Sequence, residues 1–141
     1  MGNPDSMARK EQDGHKVACA NRRAHHDYEL FDRLEAGLVL VGSEVKSLRD
    51  GGGALVDSYI EVRGSEAFLV GANIAQYVNA SYTNHEPRRT RKLLLHAREI
   101  RRLAQKVREK GLTIVPLQIY FSDGRAKIEI ALARGRRSYD K

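Results

Sequence analysis

The sequence has no tryptophan, only one cysteine, and no apolar stretch long enough to cross a membrane. A single cysteine, Cys19, excludes an intramolecular disulfide, which is typical of proteins kept in a reducing compartment. A membrane-spanning helix needs about 20 consecutive apolar residues, and no segment approaches that length. Residues 1–16 are almost wholly polar and lack the apolar stretch of a secretory signal. We therefore expect a cytoplasmic protein with no membrane partner.

Motifs for catalysis and for cofactor binding are missing as well. The chain has no Walker motif, no GxSxG, no GxGxxG, no HExxH and no CxxC. The glycine run after Asp50 stands alone and favours a turn that ends a helix. The adjacent His25 and His26 would point to opposite faces of a strand, so they cannot easily share an ion. We expect no enzyme activity, no metal, no cofactor and no small-molecule substrate.

Positive charge, in contrast, is plentiful and concentrated in two places. The net charge of the 141 residues is +7, yet residues 1–83 carry −3. Residues 84–110 hold ten basic and three acidic side chains, a net of +7, and residues 134–141 carry +3. A solvated helix usually mixes both signs, but only Glu99 and Glu109 are acidic between Arg88 and Lys110. This imbalance predicts a surface that binds nucleic acid or the ribosome.

Hydrophobic patterning predicts a mainly β protein, a small OB-like β-barrel with peripheral α-helices over residues 21–133. The clearest element is an amphipathic basic helix near 93–110, which Gly111 ends. The other predicted elements are a buried strand at 38–41, a short helix from Ser43, a hairpin of 58–62 with 67–70 across a four-residue connection, an extension of the sheet within 74–82, and a hairpin of 113–121 with 126–133.

Both ends of the chain lack periodicity. Residues 1–20 are expected to be a disordered arm or, in part, a cloning remnant, with Met7 as the natural first residue. Residues 134–141 are expected to be the start of a basic C-terminal tail. Domain organisation is therefore predicted as one folded unit between two polar ends.

Seven short motifs occur in order along residues 21–141. They are Asn21–Tyr28 (NRRAHHDY), Glu35–Gly37 (EAG), Gly42–Arg49 (GSEVKSLR), Asp57–Tyr59 (DSY), Ala67–Ile74 (AFLVGANI), Arg89–Leu95 (RTRKLLL) and Ala133–Arg137 (ARGRR). Each motif is weak alone, but the ordered set resembles the small protein B family, also called SsrA-binding proteins. The resemblance implies an OB-like barrel that binds the tRNA-like domain of transfer-messenger RNA. It also implies that the pair enters stalled ribosomes for trans-translation.

The resemblance further implies which residues contact RNA. The family's contact positions fall on Asn21, Glu35 and Leu94, with basic support from Arg22, Arg89, Arg91 and Lys92. An asparagine offers donors and an acceptor, a glutamate accepts from base N–H groups, and a leucine can press on an exposed base. From the residues alone, Glu35 could be a solvated turn residue beside Gly37, and core packing at the start of the helix is the favoured interpretation of Leu94.

Family members usually continue past the position of Asp140 and Lys141 with a long basic tail that works inside the ribosome, facing small-subunit RNA. The expected ribosome-facing residues of this chain are Arg136, Arg137, Tyr139, Asp140 and Lys141. A chain ending at Lys141 is expected to bind its RNA without supporting peptide tagging. Two alternatives stay open at this point: an OB-type translation protein with another RNA target, and a barrel that binds proteins through its basic face.

Overall fold

The computed structural model describes residues 15–78 and 84–136. These residues form nine strands and three helices. The strands are β1 (His15–Ala20), β2 (Tyr28–Leu38), β3 (Gly53–Ala54), β4 (Tyr59–Arg63), β5 (Glu66–Val70), β6 (Asn73–Ile74), β7 (Arg91–Leu94), β8 (Thr113–Ser122) and β9 (Arg125–Gly135). The helices are α1 (Arg22–Asp27), α2 (Gly42–Arg49) and α3 (Ala97–Lys110).

Seven of the strands make one antiparallel sheet in the order β1-β8-β9-β2-β7-β5-β4, and β3 pairs with β6 separately. The expectation of a mainly β protein is thus confirmed. The sheet is not closed: β1 and β4 are its edges, and β4 approaches β8 without a hydrogen-bonded ladder among the described residues. A fully closed barrel is therefore not what the described strands form.

The core lies on one face of this sheet, which we call the inner face. Alternate strand residues such as Ala36, Leu93 and Ile128 are buried there. Helix α3 covers this face with Ile100 and Leu103, and α2 covers it with Leu48. Helix α1 instead packs on the opposite, outer face, where a second apolar cluster consists of Ala24, Val115, Leu117, Ala131 and Ala133.

The structure corrects the prediction that residues 1–20 are a disordered arm. His15–Ala20, placed in the disordered arm by the sequence, pair with the C-terminal half of β8 as strand β1. Its ladder partners lie about a hundred positions later in the chain, so no local pattern reveals them. Residues 1–14 lie outside the described part.

Several predicted boundaries also shift. Helix α3 begins at Ala97 rather than near 93, because Arg91–Leu94 pair with both β2 and β5 as strand β7. The strand predicted at 38–41 ends at Leu38, and Val39 and Val41 are exposed. The first hairpin is joined by two residues rather than four. Of the extension predicted within 74–82, Ile74 lies in β6, residues 75–78 are not in a strand, and residues 79–82 lie outside the described part. The second hairpin, β8 with β9, is confirmed.

Candidate nucleic-acid interface

An exposed leucine lies beside a glycine on the outer face of the sheet. Ala36 and Leu38 of β2 are buried on the inner face, so strand alternation places Glu35 and Gly37 on the outer face. Gly37 pairs with Leu94 of β7, whose side chain stays 57% exposed. A Cβ atom at Gly37 would lie only 3.2 Å from the Cβ of Leu94. The glycine therefore gives Leu94 room to lie across β2, and core packing does not explain Leu94.

Charged side chains surround this leucine on the same face. Lys92 lies two residues before Leu94 in β7, and its Nζ is 2.8 Å from the Glu66 Oε2 atom. Lys127 of β9 pairs with Gly37 from the other side. We call the surface formed by Glu35, Gly37, Lys92, Leu94 and Lys127 the outer patch.

The carboxylate of Glu35 has a defined partner within the outer patch. The Tyr120 hydroxyl donates a hydrogen bond to the Glu35 Oε2 atom, and the Lys127 Nζ is 4.0 Å from Oε1. About half of the Glu35 side chain, 53%, is exposed to solvent. Burial of the phenol, and then its hydrogen bond to Glu35, raise the pKa of Tyr120 above its ordinary value. Tyr120 is therefore a protonated donor, and Glu35 an accessible acceptor.

Arg91, predicted to support RNA binding, is fully buried. Its guanidinium donates to the Glu44 Oε2 atom at 2.8 Å, to the carbonyl of Ala72 at 2.9 Å and to that of Pro87 at 3.0 Å. All of these partners are internal, so this side chain cannot reach a phosphate. The prediction of direct contact is corrected: Arg91 ties the segment after Pro87 to α2 and to the residues between β5 and β6.

Arg89 shares the same carboxylate but lies at the surface. Its Nε and Nη2 atoms donate to the two oxygens of Glu44 at 3.0 and 2.7 Å, and its side chain is 36% exposed. Burial by itself would raise the pKa of Glu44. Hydrogen bonds from Arg89, from the Val41 N–H and from Arg91 outweigh that effect and lower this pKa from 4.5 to about 2. Glu44 is therefore ionised at neutral pH, and we call Glu44, Arg89 and Arg91 the buried ion cluster.

Asn21 begins helix α1 and is largely buried, at 9% exposure. Its side-chain Nδ2 donates to the carbonyl of Pro116 at 2.9 Å, and its backbone N–H donates to that of Leu117 at 2.7 Å. Arg22 follows it and is exposed.

Strand register relates Asn21 to the outer patch. Ala20, Gln118, Glu129 and Glu35 are successive partners across β1, β8, β9 and β2. Since neighbouring strands lie about 4.8 Å apart, this row spans roughly 14 Å. The fold thus brings the start of α1 and Glu35 to the same side of the sheet.

The basic helix α3 lies on the opposite side. The His96 N–H donates to the Glu99 carboxylate at 3.0 Å where the helix starts, and Gly111 ends it with a φ of +65°. Ile100 and Leu103 pack into the core of the inner face. The exposed cations of the helix are Arg98, Arg101, Arg102, Arg108 and Lys110, of which Arg102 pairs with Asp32 at 2.9 Å. The two regions predicted to bind RNA are therefore on different faces of the sheet.

The predicted tail leaves from the far end of β2. Gly135 of β9 pairs with Tyr28, whereas the outer patch is near Gly37, and nine residues of strand span on the order of 30 Å. Arg136 is exposed, its N–H donates to the carbonyl of Asp27 and its Nε to that of Tyr28. The tail residues Arg137, Tyr139, Asp140 and Lys141 lie outside the described residues.

Sequence reasoning missed two residues of this surface, Tyr120 and Lys127. Both occupy outward positions of the confirmed β8–β9 hairpin, so alternation along the strands could have marked them. Within residues 15–78 and 84–136, no group of three His, Cys, Asp or Glu side chains is placed to hold a metal ion. No helix in the same part of the chain is both long and apolar enough to span a membrane.

Comparison with known proteins adds independent observations. A family model described as SmpB protein matches residues 18–141. The chain is 59% identical over 128 residues to an SsrA-binding protein of Salinispora tropica, covering 91% of this chain and 80% of the relative. An SsrA-binding protein of Syntrophobacter fumaroxidans is 55% identical over 126 residues, covering 89% and 78%.

A solved structure is also similar. It is described as "tmRNA-SmpB: a journey to the center of the bacterial ribosome". It matches with a TM-score of 0.73 at 51% sequence identity, and the match covers 87% of each chain.

Proposed function

The chain belongs to the SmpB family, and from this premise we propose that it binds the tRNA-like domain of transfer-messenger RNA and accompanies that RNA to stalled ribosomes in trans-translation. Its partners are then the RNA and the ribosome, through small-subunit RNA. We propose that it binds RNA without catalysis, that it does so in the cytoplasm, and that its seven-stranded sheet is an open variant of an OB-like fold.

The side chains of the outer patch are the observation that best supports this proposal. In the outer patch an accessible carboxylate, Glu35, lies beside Lys127, and an exposed leucine, Leu94, lies two residues from Lys92 on β7. A carboxylate repels phosphates, so its use against RNA is to accept hydrogen bonds from base N–H groups or from a 2′-hydroxyl. The lysines supply attraction to the backbone, and Leu94 offers an apolar surface to an unstacked base. This set suits a folded RNA with exposed bases better than a uniform duplex.

The other predicted residues take different parts in the proposal. Arg22 and Arg89 are accessible cations for phosphates, and Asn21 holds the start of α1 against β8 through its carboxamide. Arg91 acts only by positioning the segment that carries Arg89. Residues 134–141 are proposed to face the ribosome, because β9 delivers them far from the outer patch.

The test is the sign of the effect of Glu35→Ala. Removing an acid strengthens binding to any polyanion unless that acid makes a specific contact. We expect affinity for the tRNA-like RNA to fall about tenfold, within the range for one base-edge contact, while binding to bulk tRNA stays equal or tightens. Gel shift or filter binding with both RNAs measures this.

Glu29→Ala is a matched control. Glu29 lies on the same strand, is 54% exposed and has a cation, Arg134, at 3.8 Å, but it is near the far end of β2. It should leave the affinity for the tRNA-like RNA unchanged or slightly raised. Equal or tighter binding by a folded Glu35→Ala protein would refute the role of Glu35. Equal affinity of the unmodified protein for both RNAs would point to the alternative of another RNA target.

A further inference from the structure

Tyr120 is a buried residue with one polar atom directed at the outer patch. Ile119 and Phe121 pack in the core, so Tyr120 lies on the outer face of β8. It pairs with Lys127, which pairs with Gly37, which pairs with Leu94. The ring is only 4% exposed, and its hydroxyl reaches over β9 to the Glu35 Oε2 atom, 85 positions away in sequence.

Strand β1 covers this tyrosine. The His15 ring stacks on the Tyr120 ring with 4.2 Å between centroids and 14° between planes. In the β1–β8 ladder, Val17 is the direct partner of Tyr120, and His15 is the diagonal neighbour on the same face. The phenol is therefore held between a histidine ring and the sheet, and its hydroxyl has a fixed position.

From this geometry we propose that Tyr120 is a positioning residue for RNA recognition by Glu35: its hydroxyl fixes the carboxylate in one orientation and leaves the Oε1 atom to accept from the RNA. This rests on the proposed function and names a residue that deepens it. Among the described residues Oε1 accepts no hydrogen bond, and its nearest cation, Lys127 Nζ, is 4.0 Å away.

A phenol suits this task better than a second cation. An exposed glutamate samples several rotamers, and ordering it only upon binding weakens the complex. A lysine or arginine would order it too but would cancel its charge and occupy its acceptor sites. Tyr120 donates one hydrogen bond and brings no charge. Burial and the nearby carboxylate both raise its pKa, so it keeps its proton throughout the neutral range.

The alternative is that Glu35 serves Tyr120: its carboxylate would only provide an acceptor for the buried hydroxyl, and the hydrogen bond would not affect RNA binding. Tyr120→Phe separates the two, because it keeps the ring and its stacking on His15 and removes only the donor. Tyr59→Phe is the matched control, since Tyr59 lies on β4, three strands away from β2 in the sheet, and is 44% exposed.

Binding to the isolated tRNA-like RNA and to bulk tRNA is measured for wild type, Tyr120→Phe, Tyr59→Phe, Glu35→Ala and the double variant Glu35→Ala with Tyr120→Phe. We expect Tyr120→Phe to weaken binding to the tRNA-like RNA about five- to tenfold, with bulk tRNA binding unchanged. Tyr59→Phe should match wild type. The double variant should match Glu35→Ala within about twofold, because both changes remove one coupled unit.

A proton NMR spectrum gives a readout independent of RNA. A hydroxyl proton of a buried phenol that is held in a hydrogen bond exchanges more slowly with water than a free hydroxyl and can give its own resonance. That resonance should disappear in both Tyr120→Phe and Glu35→Ala and persist in Tyr59→Phe. Suppose that the wild type prefers the tRNA-like RNA. If Tyr120→Phe then binds as well as wild type, or if the losses add in the double variant, the positioning role of Tyr120 is refuted and the proposed function stands. If the wild type shows no preference for the tRNA-like RNA over bulk tRNA, both the proposed function and the positioning role of Tyr120 are refuted.

Discussion

The arginines of the buried ion cluster and those on the exposed face of α3 both come from the arginine-rich segment 84–110, yet their surroundings differ. Arg91 is fully enclosed and bound to Glu44 and to two carbonyls. Arg101 in α3 is exposed, and no ion pair to it occurs among the described residues. The difference arises because the buried acid Glu44 reaches both Arg89 and Arg91, whereas Asp32, the acid that reaches α3, pairs only with Arg102 among the described residues. Charge counted along a sequence therefore does not measure the charge available to a ligand.

Three acids from outside the segment, Glu44, Glu66 and Asp32, pair with four of its ten cations. Subtracting their three negative charges from the +7 of the segment leaves a local charge of +4. Most of what remains unpaired lies on α3, which faces away from the outer patch.

The largest expected effect comes from breaking the buried ion cluster. Arg91→Ala removes the donor to the carbonyls of Ala72 and Pro87 and leaves the buried carboxylate of Glu44 with one cation. Removing one partner of a buried pair costs about 3–5 kcal/mol of stability. Urea unfolding followed by circular dichroism measures the free energy of unfolding.

Arg89→Ala is the control for that loss. Its side chain is partly exposed, so water can replace it, and we expect a loss of about 1 kcal/mol. If Arg91→Ala were within 1 kcal/mol of wild type, the two arginines would be equivalent, and the contrast between buried and exposed cations would not hold. Arg91→Lys should be intermediate, since one donor group cannot reach all three partners.

Acid tests the same cluster without mutation. The pKa of Glu44 is about 2 in the folded protein against 4.5 ordinarily, so its contribution to stability is fully present above about pH 4.5. It is lost as the pH falls from about 4.5 to 2, and the loss is on the order of 3 kcal/mol. Urea unfolding at pH 7, 4.5, 3 and 2 follows it. Asp27→Asn, at an exposed pair, should keep most of this dependence, whereas Glu44→Gln should flatten it.

Sequence reasoning succeeds where a structure depends on near neighbours. The β8–β9 hairpin follows from alternation around the turn at Asp123 and Gly124, and the end of α3 follows from Gly111. The same local patterns predict the mainly β composition. The family resemblance, in turn, draws attention to Glu35 and Leu94, for which the residues alone leave a structural interpretation open.

Sequence reasoning does not succeed where the residues that contact each other are distant in the chain. Arg91 and Glu44 are 47 positions apart, and Tyr120 and Glu35 are 85 apart. A helical pattern counted from Leu93 misses that Arg91–Leu94 form a strand between β2 and β5. Such pairings depend on sheet order, which no local periodicity encodes.

A smaller effect is expected from neutralising α3. The triple variant Arg98→Gln, Arg101→Gln and Arg108→Gln should weaken ribosome binding about tenfold. It should also reduce the slope of log affinity against log salt concentration by roughly 2 to 3. Binding to the isolated tRNA-like RNA should change its slope by less than about 1, because the outer patch is on the other face. Arg102→Gln is the control, since Asp32 already pairs with that cation. Equal losses on both partners would show that α3 and the outer patch act as one surface.

The smallest effects concern Lys92, the one ion-paired cation of the segment that belongs to the outer patch. Lys92 and Glu66 are both about half exposed, so their pair contributes no more than about 0.5 kcal/mol to stability, and neither Lys92→Ala nor Glu66→Ala should shift unfolding measurably. Their effects on RNA binding should have opposite signs. Lys92→Ala removes a phosphate contact and should weaken binding about threefold at moderate salt. Glu66→Ala releases Lys92 from its competitor and should tighten binding by a similar factor, which filter binding in a salt series can resolve. Weakening by both variants would mean that Glu66 orients the lysine rather than competing for it. In that case the pair with Glu66 would hold Lys92 in the orientation that binds RNA. In the buried ion cluster, by contrast, the pair with Glu44 keeps Arg91 away from RNA.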